Sequence, residues 1–599
     1  MDGRSVYRSE GSKMAIINIT ENIYCFDKDC CRVYIIRNGA DAVLIDFGSG
    51  GVLEELPAMG ITTIHAVYIT VPQRNHCQGL SRLPQDVPVY CPEGTAEIIE
   101  RFAVKPGNPV RFSLFPGVYE IPSSLNNPGS PPPKMQFGDY VISPLRIGGF
   151  MECQTAYFAD SVNERICFSG DAIYAPGKIY AAYNFEHMHH TGTGQSRGVE
   201  ALRLLRMARP DMLCPAHGEV MRGNTFEALT LTMDRLNQLA QFYETNCPEV
   251  PASHRIPCTK GCFQQVSEHI WMRGNIYVVI SEAKKALLID FYEQDDEHVR
   301  QFLKEFEACF PGTAIERILI SHFHFDHWVG INELRKYADF EVICSNYLKP
   351  ALENPPAFKR PFQYFPGIKV DCGYADNETF KWHEYTFVVF EFPGQTDLHA
   401  GYFAVIDSRK VFFSGDNFYP AQQWGGTGGF SSFNGGDPEN GWRRSIKLLL
   451  RLEPEWVLAS HMHPFMFRRA DFEKRLDWTY EIVDAMKEIS ANEYYQLTFN
   501  QHIFKVFPYS QPAAESFSVE FTVMNPAKTI AVLEVTPVTP HGVEAVKQSA
   551  EITVPPSGRK SVNFDFKADK SVMKSGGMIT FDITRNREYL GQKTECFIY

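Results

Sequence analysis

The chain has 599 residues, of which 44% are hydrophobic and 22% charged, and it carries a formal net charge of −13 at pH 7. That length exceeds what one hydrophobic core can serve and calls for roughly three or four domains. The acidic balance argues against a nucleic-acid backbone as the main partner, and no run reaches the ~20 consecutive apolar residues of a membrane helix. The opening MDGRSVYRSEGSKMAIINIT lacks an apolar stretch behind a basic one, so no secretory leader is expected. Fifteen cysteines without a CxxC pair or framework spacing suit free thiols in a reducing, cytoplasmic setting.

In chain order, RVYIIRNGADAVLIDFGSG from Arg32 reads as an apolar hairpin, and VYITVPQRNHCQGL from Val67 as a strand followed by a turn holding His76. QTAYFADSVNERICFSGDAIY from Gln154 gives two strands ending at Asp171, and MLCPAHG from Met212 ends a further strand near His217. The HMHH stretch at residues 187 to 190 reads either as a metal tract or as part of a glycine-containing loop beside a site. The same series then recurs. NIYVVISEAKKALLIDFYEQ from Asn275 again ends in Leu-Ile-Asp-Phe, and DDEHVRQFLKEFEACF has the apolar spacing and acidic start of a helix. ILISHFHFDHWVGI from Ile318 aligns with the Val67 stretch, placing His327 on His76 and Gly330 on Gly79. HAGYFAVIDSRKVFFSGDNFY from His399 matches the Gln154 stretch without a gap and puts Asp416 on Asp171, and VLASHMH puts His461 on His217. Such a repeat predicts two sibling domains, over 1–255 and 256–508. ENGWRRSIKLLLRLEP and DFEKRLDWTYEIVDAMKEIS add helices to the second, and Trp424 and Phe430 could line a substrate or simply pack their loop. From 509 to 599, short alternating runs broken by Pro, Gly and Asn predict an all-β, immunoglobulin-like sandwich behind a QPAAE linker. No chemistry is expected of it beyond packing against the second domain, covering an edge or mediating an interface.

The second series concentrates donors: His322, His324, Asp326, His327, His399, Asp416 and His461, each at or after the end of a strand-like run. Imidazoles and carboxylates together suit a borderline divalent ion, zinc first, with Mn²⁺ or Fe²⁺ able to use the same set. Two such cations lower the pKa of a shared water to about 7, which yields a nucleophile at neutral pH for an electron-poor carbonyl or phosphorus. Asp326 is the candidate catalytic residue, orienting that nucleophile and carrying a proton. His463 reads as structural or as a hydrogen-bond partner of a ligand. In the first series, Val71, Gln73 and Gln154 stand where the second has His322, His324 and His399, and Asn75 replaces Asp326. The surviving His76, Asp171 and His217 could hold one ion weakly or simply satisfy one another, and a non-catalytic first domain is expected.

The order HxHxDH, H, SGD, SH resembles the metallo-β-lactamase fold superfamily of hydrolases. The resemblance implies two tandem four-layer αββα sandwiches (α/β, α+β) with the site at the rim between two sheets. It further implies that His322, His324 and His399 hold a first metal, that Asp326, His327 and His461 hold a second, and that Asp416 bridges them. A bridging aspartate leans away from β-lactamases toward lactonase, thioesterase and phosphodiesterase branches. The expected function is dinuclear hydrolysis of a small-molecule ester, lactone, thioester or amide. A phosphodiesterase or nuclease, β-lactam hydrolysis and a non-enzymatic metal scaffold are the alternatives. A di-iron redox role is disfavoured by His324 and by the sandwich tail. The expected partner is a small-molecule substrate rather than a membrane or nucleic acid, and the assembly could be a monomer or a homo-oligomer.

Overall fold

A computed structural model describes residues 16–93, 95, 132–151, 153–182, 194–244, 250–258, 262–360, 366–420, 434–569, 572 and 576–599. The HMHH stretch, Trp424 and Phe430 lie outside the described residues.

The second half contains two facing sheets. The first runs Gln264–Gln265, Ile270–Arg273, Ile276–Ile280, Lys285–Ile289, Ala314–Leu319, Glu341–Ser345, Cys372–Tyr374 in spatial as well as chain order, and the second likewise from Glu378–Trp382 to Phe465–Met466. Ile276–Ile280 and Lys285–Ile289 are buried on both faces, which explains why they read as continuous apolar runs. Leu287, Ile289, Leu319 and Ile343 from one sheet meet Phe387, Val389, Tyr402 and Phe413 from the other. The outer face of the first sheet, with Ala286, Leu288 and Ile318, is covered by Val299, Phe302 and Phe306 of the helix Asp296–Cys309. That helix starts where the Asp295 side chain accepts from the His298 amide at 3.0 Å, an N-cap that satisfies an otherwise orphaned donor. On the far side, Phe412 and Val457 pack under Ile446 and Leu449 of the helix Arg443–Leu452 and under Phe472 and Ile482 of Arg469–Ile489. The layering is therefore αββα.

Among its described residues the first half also has two six-stranded sheets, from Ile16–Asn18 to Val89–Tyr90 and from Met135–Phe137 to Met221–Arg222. Parallel pairing falls between Asp41–Ile45 and Thr63–Tyr68, and between Arg165–Gly170 and Met212–Pro215. Its helices Gly194–Ala208 and Thr225–Glu244 share one continuous core with the helices of the second half, with Leu202, Leu229 and Leu236 joining Ile446, Trp478 and Ile482. Phe242 and Trp478 meet edge to face at 6.4 Å across that seam.

Two more sheets follow, one centred on Ser516–Met524 and Arg559–Ala568, the other on Gly577–Arg585 and Glu588–Ile598. They begin earlier than expected: Phe504–Phe507 already pairs with Ser516–Met524, and Ser510–Gln511 with Glu588–Ile598, so part of the supposed linker is strand. The tail touches both halves of the chain. Glu595, on Glu588–Ile598, pairs with Arg74 of the first half at 3.2 Å and with Lys359 of the second at 2.8 Å, all three side chains largely buried. Tyr509 OH donates to the same carboxylate at 2.9 Å. Gln78 of the first half further donates to Tyr589 OH at 2.8 Å. Two clustered cations hold the Glu595 carboxyl down at about 2 although its burial opposes this.

Candidate metal centre

The two sheets of the second half touch at one rim, where His322 and His399 pair backbone to backbone and the Ala400 amide donates to the Ser321 carbonyl at 2.6 Å. Every donor expected from the sequence sits on that rim. His322, His324, Asp326 and His327 follow the strand Ala314–Leu319; His399 precedes Ala400–Ile406; Asp416 follows Arg409–Gly415; His461 follows Trp456–Ala459. Gly415 makes the close approach feasible: its φ is +53°, and a Cβ there would lie 2.8 Å from the His399 ring. His461 holds a left-handed φ of 58°, which costs a non-glycine residue energy and is typical of positions fixed by function.

The donor atoms fall into two overlapping groups, each within 4.8 Å: His322, His327 and Asp416, and Asp326, His327 and His461. Asp416 Oδ1 is 3.5 Å from both His327 Nε2 and His461 Nε2, Asp416 Oδ2 is 3.7 Å from His322 Nε2, and Asp326 Oδ2 is 3.0 Å from His461 Nε2. The His399 ring stacks on His322 at 4.7 Å, and the His324 ring meets His322 edge-on at 4.7 Å. His324 Nε2 is 2.9 Å from Asn434 Oδ1, so this imidazole is held by a side chain that no sequence motif flagged. His327 thus stands between both groups, whereas the family pattern gives it to one.

Asp290, the aspartate of the repeated Leu-Ile-Asp-Phe, supports the turn from below. Its Oδ1 accepts from the Ser321 amide and its Oδ2 from Ser321 Oγ, both at 2.7 Å, and His327 Nδ1 reaches Oδ2 at 2.8 Å. Ser321 Oγ is also 3.0 Å from His322 Nδ1. With Nδ1 of both imidazoles tied back, both Nε2 atoms point into the centre. Asn275 reaches His461 Nε2 at 3.3 Å, and Gln395 donates to Asp416 Oδ2 at 3.3 Å. His463 is exposed, and the supporting role falls to Asp290 instead.

The electrostatics call for positive charge. Burial and neighbouring imidazoles push His322 well below the ordinary histidine range, and burial takes His399 down to about 3, so both are neutral donors. His327 is raised well above it: burial opposes, but Asp416, Asp326 and Asp290 outweigh burial. His461 is raised as well, by Asp416 and Asp326 against its own burial. Against burial, His327 and His461 hold Asp326 at about 2, and the same two depress Asp416. His322 Nε2, His399 Nε2 and Asp416 Oδ1 are buried without a hydrogen-bond partner. Buried polar atoms are rarely left so, and neutral imidazoles beside ionised carboxylates are what a divalent cation binds; the residues fit metal.

The corresponding rim of the first half is closed on itself. His76 Nδ1 lies 3.1 Å from Asp46, its Nε2 3.0 Å from Asp171, and Asp171 meets His217 Nδ1 at 2.6 Å. His217 Nε2 reaches the Cys30 carbonyl at 2.8 Å, and its ring stacks on Tyr180 at 3.6 Å. Gln154 spends its amide on Phe150 N and the Ser169 carbonyl. These three donors also lie within 4.8 Å of one another, but each imidazole nitrogen already faces an oxygen. Burial would lower His76, yet Asp46 and Asp171 raise it to about 10, so a proton supplies the charge at this rim.

Residues 269–461 match the family model of the metallo-beta-lactamase superfamily. Hydroxyacylglutathione hydrolase of Hahella chejuensis (strain KCTC 2396) is 28% identical over 187 residues, 31% of this chain and 60% of that protein. The chain thus spans about 60% of the length of this curated relative. A subclass B3 metallo-beta-lactamase of Bradyrhizobium japonicum aligns over 38% of this chain and 94% of its own, at 14% identity and a TM-score of 0.29. A class B3 di-zinc metallo-beta-lactamase from an Alaskan soil metagenome aligns over 41% of this chain and 100% of its own, at 14% identity and a TM-score of 0.30. The matched residues 269–461 are those whose layered sheets carry the histidine-rich rim, so the similarity to the metallo-beta-lactamase superfamily falls on the candidate metal centre.

Proposed function

We propose that the rim of the second half is the active site of a metal-dependent hydrolase that cleaves the carbonyl bond of a small-molecule thioester, ester or lactone. The observation that carries this reading is the convergence of donor atoms of His322, Asp326, His327, Asp416 and His461, with the His324 and His399 rings against His322, while His322 Nε2, His399 Nε2 and Asp416 Oδ1 are buried without a hydrogen-bond partner. His322, His324 and His399 would hold one cation, Asp326, His327 and His461 another, and Asp416 would face both. Bound there, two divalent ions, zinc first by donor type, would acidify water and polarise a carbonyl. Asp326, with a side chain about one-third exposed, would orient the attacking oxygen and take its proton. Asp290 and Ser321 keep the His327 and His322 rings turned inward. The thioester is put first because the curated relative is named a hydroxyacylglutathione hydrolase.

We also infer that the two halves are a duplicated pair whose first member has lost catalysis. The aligned segments, the matching sheet orders and the shared use of Asp46 and Asp290 under their respective rims support this. In the first half a protonated His76 then stands in for a cation. Elemental analysis of the purified protein, coupled to a screen of thioesters, lactones, β-lactams and phosphodiesters, tests both readings. The expected result is about two metal ions per chain and carbonyl-bond turnover, both lost in a His322→Ala, His324→Ala variant. Metal-free protein that still turns over substrate would remove the proposal.

A further inference from the structure

Beside the histidine rim, where the second half meets the C-terminal sheets, cationic side chains outnumber the carboxylate that gathers them. Asp397, two residues before His399, accepts from Arg360 Nη2 at 2.6 Å and Nε at 3.1 Å. Tyr347 OH donates to Asp397 Oδ2 at 3.3 Å, and Lys505 Nζ is 3.9 Å from the same oxygen. Strand register brings in a third cation. Lys505 pairs with Thr522, Thr522 with Ser561, and Arg559, two residues from Ser561, projects on the same face. Arg559 is exposed, and the side chain of Lys505 is 32% exposed. Arg360, by contrast, is buried and already fixed on Asp397 and on the Lys359 carbonyl. Burial and the like charges of Arg360 and Arg559 hold Lys505 down at about 8, although Asp397 opposes them, so this ammonium lacks a full counter-charge. Arg360 and Lys505 on Asp397, with Arg559 beside Lys505, form a positive island on a chain of net charge −13.

The island adjoins the candidate metal centre. Gly435, at φ +83°, packs so closely on Asp397 that a Cβ would come within 2.2 Å of its Oδ1, while Asn434, its neighbour, holds His324. We propose that Lys505, Arg559 and Tyr347 form an anion subsite that takes a carboxylate or phosphate group of the substrate whose carbonyl is attacked at the histidine rim. The word substrate rests on the hydrolase reading; the anion subsite does not. The C-terminal sheets thereby supply specificity to a site built by another part of the chain, with Arg360 and Asp397 as positioning residues.

Binding is tested first on full-length protein stripped with EDTA, so that inorganic phosphate cannot report on bound metal. Titrated by ³¹P NMR, phosphate is expected to bind the wild type and to bind a Lys505→Gln, Arg559→Gln variant roughly tenfold more weakly, with recovery in Lys505→Arg, Arg559→Lys. No binding by the wild type, or equal binding by the Gln variant, overturns the proposal. On the metal-loaded protein, the ratio of kcat/KM for a succinyl thioester over an acetyl thioester is expected to fall roughly tenfold in the Gln variant. An unchanged ratio overturns the substrate assignment. Failure to turn over either thioester defeats the hydrolase reading, while the phosphate titration still decides the subsite.

Discussion

Asp290 takes hydrogen bonds from Ser321 and reaches His327, so Asp290→Ala unfastens two side chains at once. Losing such an outer partner typically costs about 10–100-fold in metal affinity or activity. Equilibrium dialysis against zinc should show a loss of that order with the fold intact by circular dichroism; unaltered affinity would deny Asp290 this role. The sequence held a signal for this residue, since Leu-Ile-Asp-Phe occurs in both halves, but its apolar neighbours make it look like strand filler. The seven donors were legible because the chemistry demands particular residue types. Asn434, Asn275 and Gln395 were not, because an amide serves as well in any loop and only folding shows which ring it meets. His76 supports a prediction about pH. It titrates near 10 in the fold against about 6.5 in an unfolded chain. Its stabilisation is therefore complete below pH 6.5 and disappears as the pH climbs through 10. His76→Asn should cost about 3–5 kcal/mol at neutral pH, since it strands buried carboxylates. Denaturant melts of both proteins should converge toward pH 10, and a difference that stays constant from pH 6 to 10 would contradict a charged His76.

At the scale of elements, the strand Glu588–Ile598 is the piece whose position least resembles its sequence. Its alternation correctly announces a sheet, yet nothing in it says that Glu595 will sit between Arg74 and Lys359. Removing that carboxylate leaves two buried cations with like charge, so Glu595→Ala should destabilise the protein by about 3–5 kcal/mol, read as a lower melting temperature. A companion carrying methionine at all three positions should recover much of the loss, because the penalty comes from unpaired charge rather than lost volume. If Glu595→Ala melts like the wild type, the cluster contributes nothing. Helices were easier to place. Asp295 caps Asp296–Cys309 as the acidic start suggested, and Val299, Phe302 and Phe306 follow the expected period. The boundary near 509 was set where the regular alternating runs begin, whereas Phe504–Phe507, too short to show a period, already pairs with Ser516–Met524.

Across the whole molecule, the seam between the two halves is a core rather than a contact. Leu202, Leu229 and Leu236 lie in one cluster with Ile446, Trp478 and Ile482. Hydropathy could reveal amphipathic helices but not which helices would face each other. A chain restricted to residues 256–599 would expose that apolar face, so it should aggregate or bind a hydrophobic dye, and adding the separately expressed first half should restore a soluble complex. A monodisperse, fully active 256–599 fragment would show that the first half is dispensable. The Glu595 junction adds a matter of timing during synthesis. Lys359 precedes Glu595 by 236 residues, and Arg74 emerges earlier still. A nascent chain therefore carries both cations to the surface of a half-built particle and can bury them only after the ribosome has delivered the strand that neutralises them.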